Sequence, residues 1–106
     1  MTTEALNRVF NAISDPTRRA VLARLADGEQ AVGLLAEPHA MSLPAFTKHI
    51  RVLESAGLVV TQKRGRTHYC TINPEPLREA SEWLAFYRRL WEQNLDSLGK
   101  FLDENP

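Results

Sequence analysis

The chain has 106 residues, 43% of them hydrophobic and 25% charged, with thirteen Lys/Arg against thirteen Asp/Glu. That length fits one small domain over residues 1–106, whose core is marginal alone and gains from a partner surface. No stretch of about 18 apolar residues is available for a membrane span. The start Met1-Thr2-Thr3-Glu4 lacks the basic-then-apolar pattern of a signal peptide, and the single Cys70 has no second thiol to pair with, so a cytoplasmic protein without a membrane partner is expected.

Leu6, Val9, Phe10 and Ile13 recur at the spacing of one amphipathic helical face and predict a helix over roughly 4–13. Ser14-Asp15-Pro16 ends it and opens a second helix: aspartate is a good N-cap, and proline at the first helical position has no N–H to leave unpaired. The second helix runs to about Ala26, with Val21, Leu22 and Leu25 inward and Gly28 past its end. Val32, Leu35 and Ala36 predict a short third helix, which Pro38 stops by pushing the preceding residue out of helical geometry. The fourth is capped by Ser42, admits Pro44 in its first turn, and places Met41 to staple onto Phe46. Phe46, Ile50 and Leu53 form its inner stripe, and Gly57 supplies the left-handed exit.

The period then falls to two. Leu58–Gln62 and Thr67–Ile72 read as strands joined by Lys63-Arg64-Gly65-Arg66, a hairpin with a basic tip. Cys70 alternates with His68 and Ile72 and is expected to face the core as a small hydrophobe. Asn73-Pro74-Glu75-Pro76 opens a last helix over about 76–103, where Leu77, Leu84, Trp91 and Leu98 repeat every seven residues beside Ala80, Tyr87, Asn94 and Phe101. Such a helix spans about 42 Å at its usual rise per residue, longer than so small a domain is wide. An aromatic and leucine-rich seam does not stay in water, so a second copy of the chain is expected to cover it, with Leu6, Phe10, Leu77, Leu84, Tyr87, Trp91, Leu98 and Phe101 at the interface. Trp83, Tyr87 and Trp91 are read as interface core in preference to the lining of a ligand pocket.

The zero net charge hides an asymmetry. Residues 42–73 carry five Lys/Arg (Lys48, Arg51, Lys63, Arg64, Arg66) and one acid, Glu54, whereas residues 74–106 carry four Lys/Arg and seven acids. A local basic face is what phosphate binding needs. Helices followed by a basic hairpin and a closing helix give a mainly α fold with a small β-hairpin, a winged helix-turn-helix dimerised through its terminal helices. Residues 1–14 and 74–106 are the expected dimerisation helices, and residues 15–73 the DNA-binding core and wing. The major groove admits one helix. On the fourth helix Ser42, Thr47 and Lys48 are candidates for positioning on phosphates, Ala45, His49 and Arg51 for reading base edges, and Pro44 is expected among the DNA-binding residues beside them. Arg64 and Arg66 are expected in the minor groove, with Lys63 and Thr67 beside them on the backbone.

His39, His49 and His68 lack ligand spacing, and no catalytic Ser/His/Asp order, glycine-rich phosphate loop or paired-acid motif occurs. No metal, cofactor or enzymatic activity is expected. The alternatives are a winged-helix protein-interaction module, or a repressor gated by a small ligand or by Cys70 oxidation; no effector is legible.

Two segments carry a family resemblance. Phe10-Asn11-Ala12-Ile13-Ser14-Asp15-Pro16-Thr17-Arg18-Arg19 and the run from Met41 to Val59, with Lys48-His49 midway and Ala56-Gly57-Leu58-Val59 at its exit, resemble the ArsR/SmtB-type bacterial repressors. The resemblance spans about residues 4–103 and implies a homodimer built on the first and last helices that binds a palindromic operator. Metal-sensing members carry a cysteine motif on the third helix or Asp/His and His/Glu ligands on the last. Here residues 31–37 hold no cysteine and residues 77–103 no histidine, so the chain resembles the metal-independent branch.

Overall fold

The structure is a computed structural model and describes residues 1–104; the last two positions of the expected dimerisation segment, 105 and 106, lie outside the described residues. In chain order the elements are α1 (Thr3–Ile13), α2 (Pro16–Leu25), β1 (Gln30–Ala31), α3 (Val32–Ala36), α4 (Leu43–Ser55), β2 (Val59–Arg64), β3 (Thr67–Ile72) and α5 (Glu75–Glu104).

The corner between α1 and α2 is built by its own sequence. The Asp15 carboxylate accepts the Arg18 amide at 3.1 Å and so caps α2. Arg18 reaches back over the end of α1, donating Nε to the Ala12 carbonyl at 2.7 Å and Nη2 to that of Asn11 at 2.9 Å, while Arg19 Nη1 donates to the Ile13 carbonyl at 2.8 Å. The Ala12 and Ile13 carbonyls at the end of α1 are thereby satisfied, and that of Asn11 accepts from the Ser14 amide and hydroxyl as well. Val21, Leu22 and Leu25 of α2 join Leu35, Phe46, Ile50, Leu53, Leu58 and Cys70 in one buried core. Phe46 is covered by His39, whose imidazole stacks on it at 5.6 Å between centroids; Met41, the expected staple, is 36% exposed.

The sheet has three antiparallel strands in the order β1-β3-β2. The sequence pointed to two. β1 is only two residues long and carries no alternation to detect, yet it pairs the outer edge of β3 through Gln30↔Cys70 and Ala31↔Tyr69 and so covers an open edge. The β2–β3 pairing runs on to Arg64↔Thr67, which places Lys63 and Arg64 within a strand and leaves Gly65-Arg66 as a two-residue turn. Gly65 sits at φ +65, the left-handed conformation such a turn demands.

α5 packs by its first turns only. Leu77, expected in the seam, is partly buried against the chain's own core and Ala80 is buried: the helix starts beside the core, one turn before its apolar face emerges. Phe10 of α1 meets Trp83 edge-on at 5.7 Å. Farther along, Leu84, Tyr87, Leu90, Trp91, Leu95 and Leu98 are all about half exposed, and the helix sets the longest of the molecule's dimensions, 67 × 30 × 22 Å.

Candidate nucleic-acid interface

α4 begins where Ser42 accepts the Ala45 amide at 3.3 Å. Pro44 has no N–H and that of Ala45 is engaged, so among the first three helical residues Leu43 alone keeps an amide for an external acceptor. With Phe46, Ile50 and Leu53 turned inward, the outer surface presents Leu43, Pro44, Lys48 and Arg51, and Thr47 is half-buried beside them. Among the described residues the side chains of Lys48 and Arg51 make no ion pair or hydrogen bond. The Thr47 hydroxyl donates to the Leu43 carbonyl at 2.9 Å, which leaves its oxygen able only to accept.

The two other expected base readers sit on a flank. Ala45 and His49 are half-buried, one helical turn apart. His49 is tied down: its Nδ1 lies 3.0 Å from Arg18 Nη1 and 3.7 Å from the Asp15 carboxylate. A guanidinium can only donate, so Nδ1 is the acceptor in this pair. His49 therefore locks α4 to the α1–α2 corner and is not free on the outer face. Partial burial pushes the Asp15 carboxyl up, but the Arg18 amide and guanidinium outweigh it and hold the group below its ordinary range.

The wing divides by strand alternation. Lys63 and His68 are register partners on the sheet face that Cys70 shares, and Arg64 and Tyr69 lie on the other. Arg64, expected in the minor groove, is instead paired with Glu29 of the α2–β1 loop, and its guanidinium lies 4.1 Å from the centre of the Tyr69 ring. Lys63 and Arg66 remain exposed and, among the described residues, unpaired.

Between α4 and the wing runs a groove of about 620 Å³ walled by Thr47, Arg51 and Glu54 on the helix and by Thr61, Arg66 and His68 on the hairpin, with Thr67 at its rim. The Thr61 hydroxyl in this groove is a buried polar atom without a hydrogen-bond partner among the described residues. His68 is a groove residue that periodicity alone did not single out, although its alternation with Cys70 carried the signal. Arg51 also borders a smaller cleft of about 240 Å³ against Arg8 and Asn11 of α1. Cys70 is fully buried, and burial, aided by the Glu54 charge, pushes its thiol up to about 11, so the reactive thiolate is disfavoured at neutral pH. Among the described residues no group of three His, Cys, Asp or Glu side chains is placed to hold a metal ion, and no helix is long and apolar enough to cross a membrane.

Residues 13–62 match the helix-turn-helix domain family. The transcriptional repressor SdpR of Bacillus subtilis is 34% identical over 79 residues, which cover 74% of this chain and 88% of SdpR. A crystal structure of an ArsR family transcriptional regulator matches with a TM-score of 0.81 at 48% identity, covering 87% of this chain and 95% of that one. The homodimeric winged helix-turn-helix DNA-binding domain of a possible ArsR-family regulator from Mycobacterium bovis matches at 0.63 and 26% identity, over 89% of this chain and 84% of that one. A basic helix edge and hairpin on this fold, with relatives of this similarity along most of the chain, identify a DNA-binding transcription regulator. The chain belongs to the ArsR family of winged helix-turn-helix regulators.

Proposed function

We propose that the protein is a cytoplasmic repressor, not an enzyme, that binds a palindromic operator as a homodimer, each α4 entering a major groove. The observation that carries this reading is the set of cations, exposed and unpaired among the described residues, on α4 (Lys48 and Arg51) and on the wing (Lys63 and Arg66), of which Arg51 and Arg66 line the two walls of one groove. They are spaced across two elements that one duplex touches together. Leu43, 56% exposed at the first position of α4, is suited to a thymine methyl, and Arg51 to a guanine edge. Lys48 and Ser42 bear on phosphates, and Arg66 takes the minor-groove role in place of Arg64. Homodimerisation is supported by the homodimeric relative and by the apolar length of α5 that one protomer leaves uncovered.

The test is a gel shift against duplexes selected from a random pool, comparing the wild type with Lys48→Ala. Removing one phosphate-binding ammonium from each protomer weakens binding to every sequence and lowers the salt slope by about one unit per phosphate released. Unchanged affinity and slope would remove Lys48 from the interface. The protein-interaction alternative is disfavoured because a neutral helix and wing would suit it better than four exposed cations.

A further inference from the structure

We infer that His68 is a phosphate ligand whose protonation strengthens the grip on DNA. The inference rests on the docking just described and adds what lies between its two anchors. A helix in the major groove and a wing tip in the adjacent minor groove straddle the sugar–phosphate strand that separates those grooves. That strand must pass through the space between α4 and the hairpin, and His68 lines this space opposite Arg51 and Thr47.

The charged groups that face His68 come from three places. Lys63 is its register partner on β2, Arg66 stands at the turn, and Arg51 and Glu54 look across from α4; α3 contributes only Val32 and Gly33 to the groove. Three cations and one carboxylate thus share the groove or the strand register with His68 in the free protein. A phosphate entering this space adds negative charge beside the ring and favours the imidazolium. Histidine side chains exchange their charge between about pH 5 and 8, so DNA binding is accompanied by proton uptake at position 68. Because the complex then binds more protons than the free protein, affinity rises as pH falls.

The experiment measures binding to a mixed-sequence duplex of about 30 base pairs, long enough for two half-sites one helical turn apart, at about pH 7.5 and about pH 5.5, each over a range of salt. The wild type is expected to bind at least about fivefold more tightly at the lower pH, with a salt slope steeper by about 0.9 for each His68 engaged. His68→Gln keeps a hydrogen-bonding side chain but cannot gain charge, and should lose both the pH response and the extra slope. His68→Arg should bind tightly at both pH values with no difference between them. His68 is exposed, so neither change touches the core, and His39 and His49 are retained in every variant, so the difference belongs to position 68. A His68→Gln protein that follows the wild type in pH and salt, or a wild type indifferent to pH, would overturn the assignment. A wild type that holds no duplex at either pH in low salt would overturn the docking itself, and the assignment with it.

Discussion

Arg18 makes three side-chain hydrogen bonds, two to the carbonyls that end α1 and one to His49 on α4. Removing its head leaves the Ala12 carbonyl and His49 Nδ1 without their donor, although the Asn11 carbonyl keeps the Ser14 amide and hydroxyl, while a methionine keeps the apolar stem. Hydrogen bonds to a charged donor contribute about 1.5–3 kcal/mol each when buried and less where water can substitute, so Arg18→Met should cost about 2 kcal/mol in total. For a domain of this size that lowers the melting temperature by roughly 10 °C; an unchanged melt would show that water replaces the guanidinium at no cost. Asp15 adds a pH dependence of definite sign. Its carboxyl titrates lower in the folded chain than when unfolded, so its contribution is present above the ordinary carboxyl range and fades as pH falls through the folded value. Asp15→Asn retains a capping oxygen but should flatten the acid limb of a melting-temperature profile. The Asp15-Pro16 cap was legible because capping is local. The work of Arg18 was not, because its partners lie six, seven and thirty-one residues away. His49 was misplaced for the same reason: periodicity tells which side of a helix avoids the core, not which flank a neighbouring helix covers.

The hairpin separates two arginines that adjacent sequence made equivalent. Arg66 occupies the turn and faces solvent, whereas Arg64 is paired with Glu29 and rests against Tyr69. Arg66→Ala should therefore weaken duplex binding and reduce the salt slope by about one unit per protomer, whereas Arg64→Ala should leave the slope nearly unchanged. Gel shifts across a salt series check both, and an equal effect of the two would mean that the Glu29 pair opens on the duplex. An exposed ion pair contributes little to stability, so the Glu29–Arg64 pair matters for where the guanidinium is held and not for how firmly the wing folds. The four main helices and the hairpin were readable from spacing, caps and the glycines at 57 and 65, since each is specified by neighbours in sequence. β1 was not: a two-residue strand has no period, and its existence depends on β3 presenting an edge to it.

At the scale of the whole molecule the decisive feature is an α5 that carries more apolar surface than its own protomer covers. Leu84, Leu90, Trp91, Leu95 and Leu98 are each about half exposed, far along a helix whose first turns alone touch the body. The seven-residue repeat made this stripe visible in the sequence, although the exposed surface is broader than a single seam and takes in Phe86 and Leu102 as well. In a two-fold dimer every substitution acts twice. Leu84→Asp exchanges a leucine worth about 2 kcal/mol of burial for a charge on each protomer, a combined loss of at least about 4 kcal/mol, or roughly a thousandfold in dimer dissociation constant. The residue is exposed within one protomer, so the variant should keep its helical signal while sedimenting as a monomer at micromolar concentration. Its duplex affinity should fall further than Lys48→Ala lowers it, because a monomer presents one reading helix instead of two held at a fixed separation. A Leu84→Asp protein that remains dimeric would place the joint elsewhere on α5, and one that is monomeric yet binds its selected duplex as tightly as the wild type would detach recognition from dimerisation altogether.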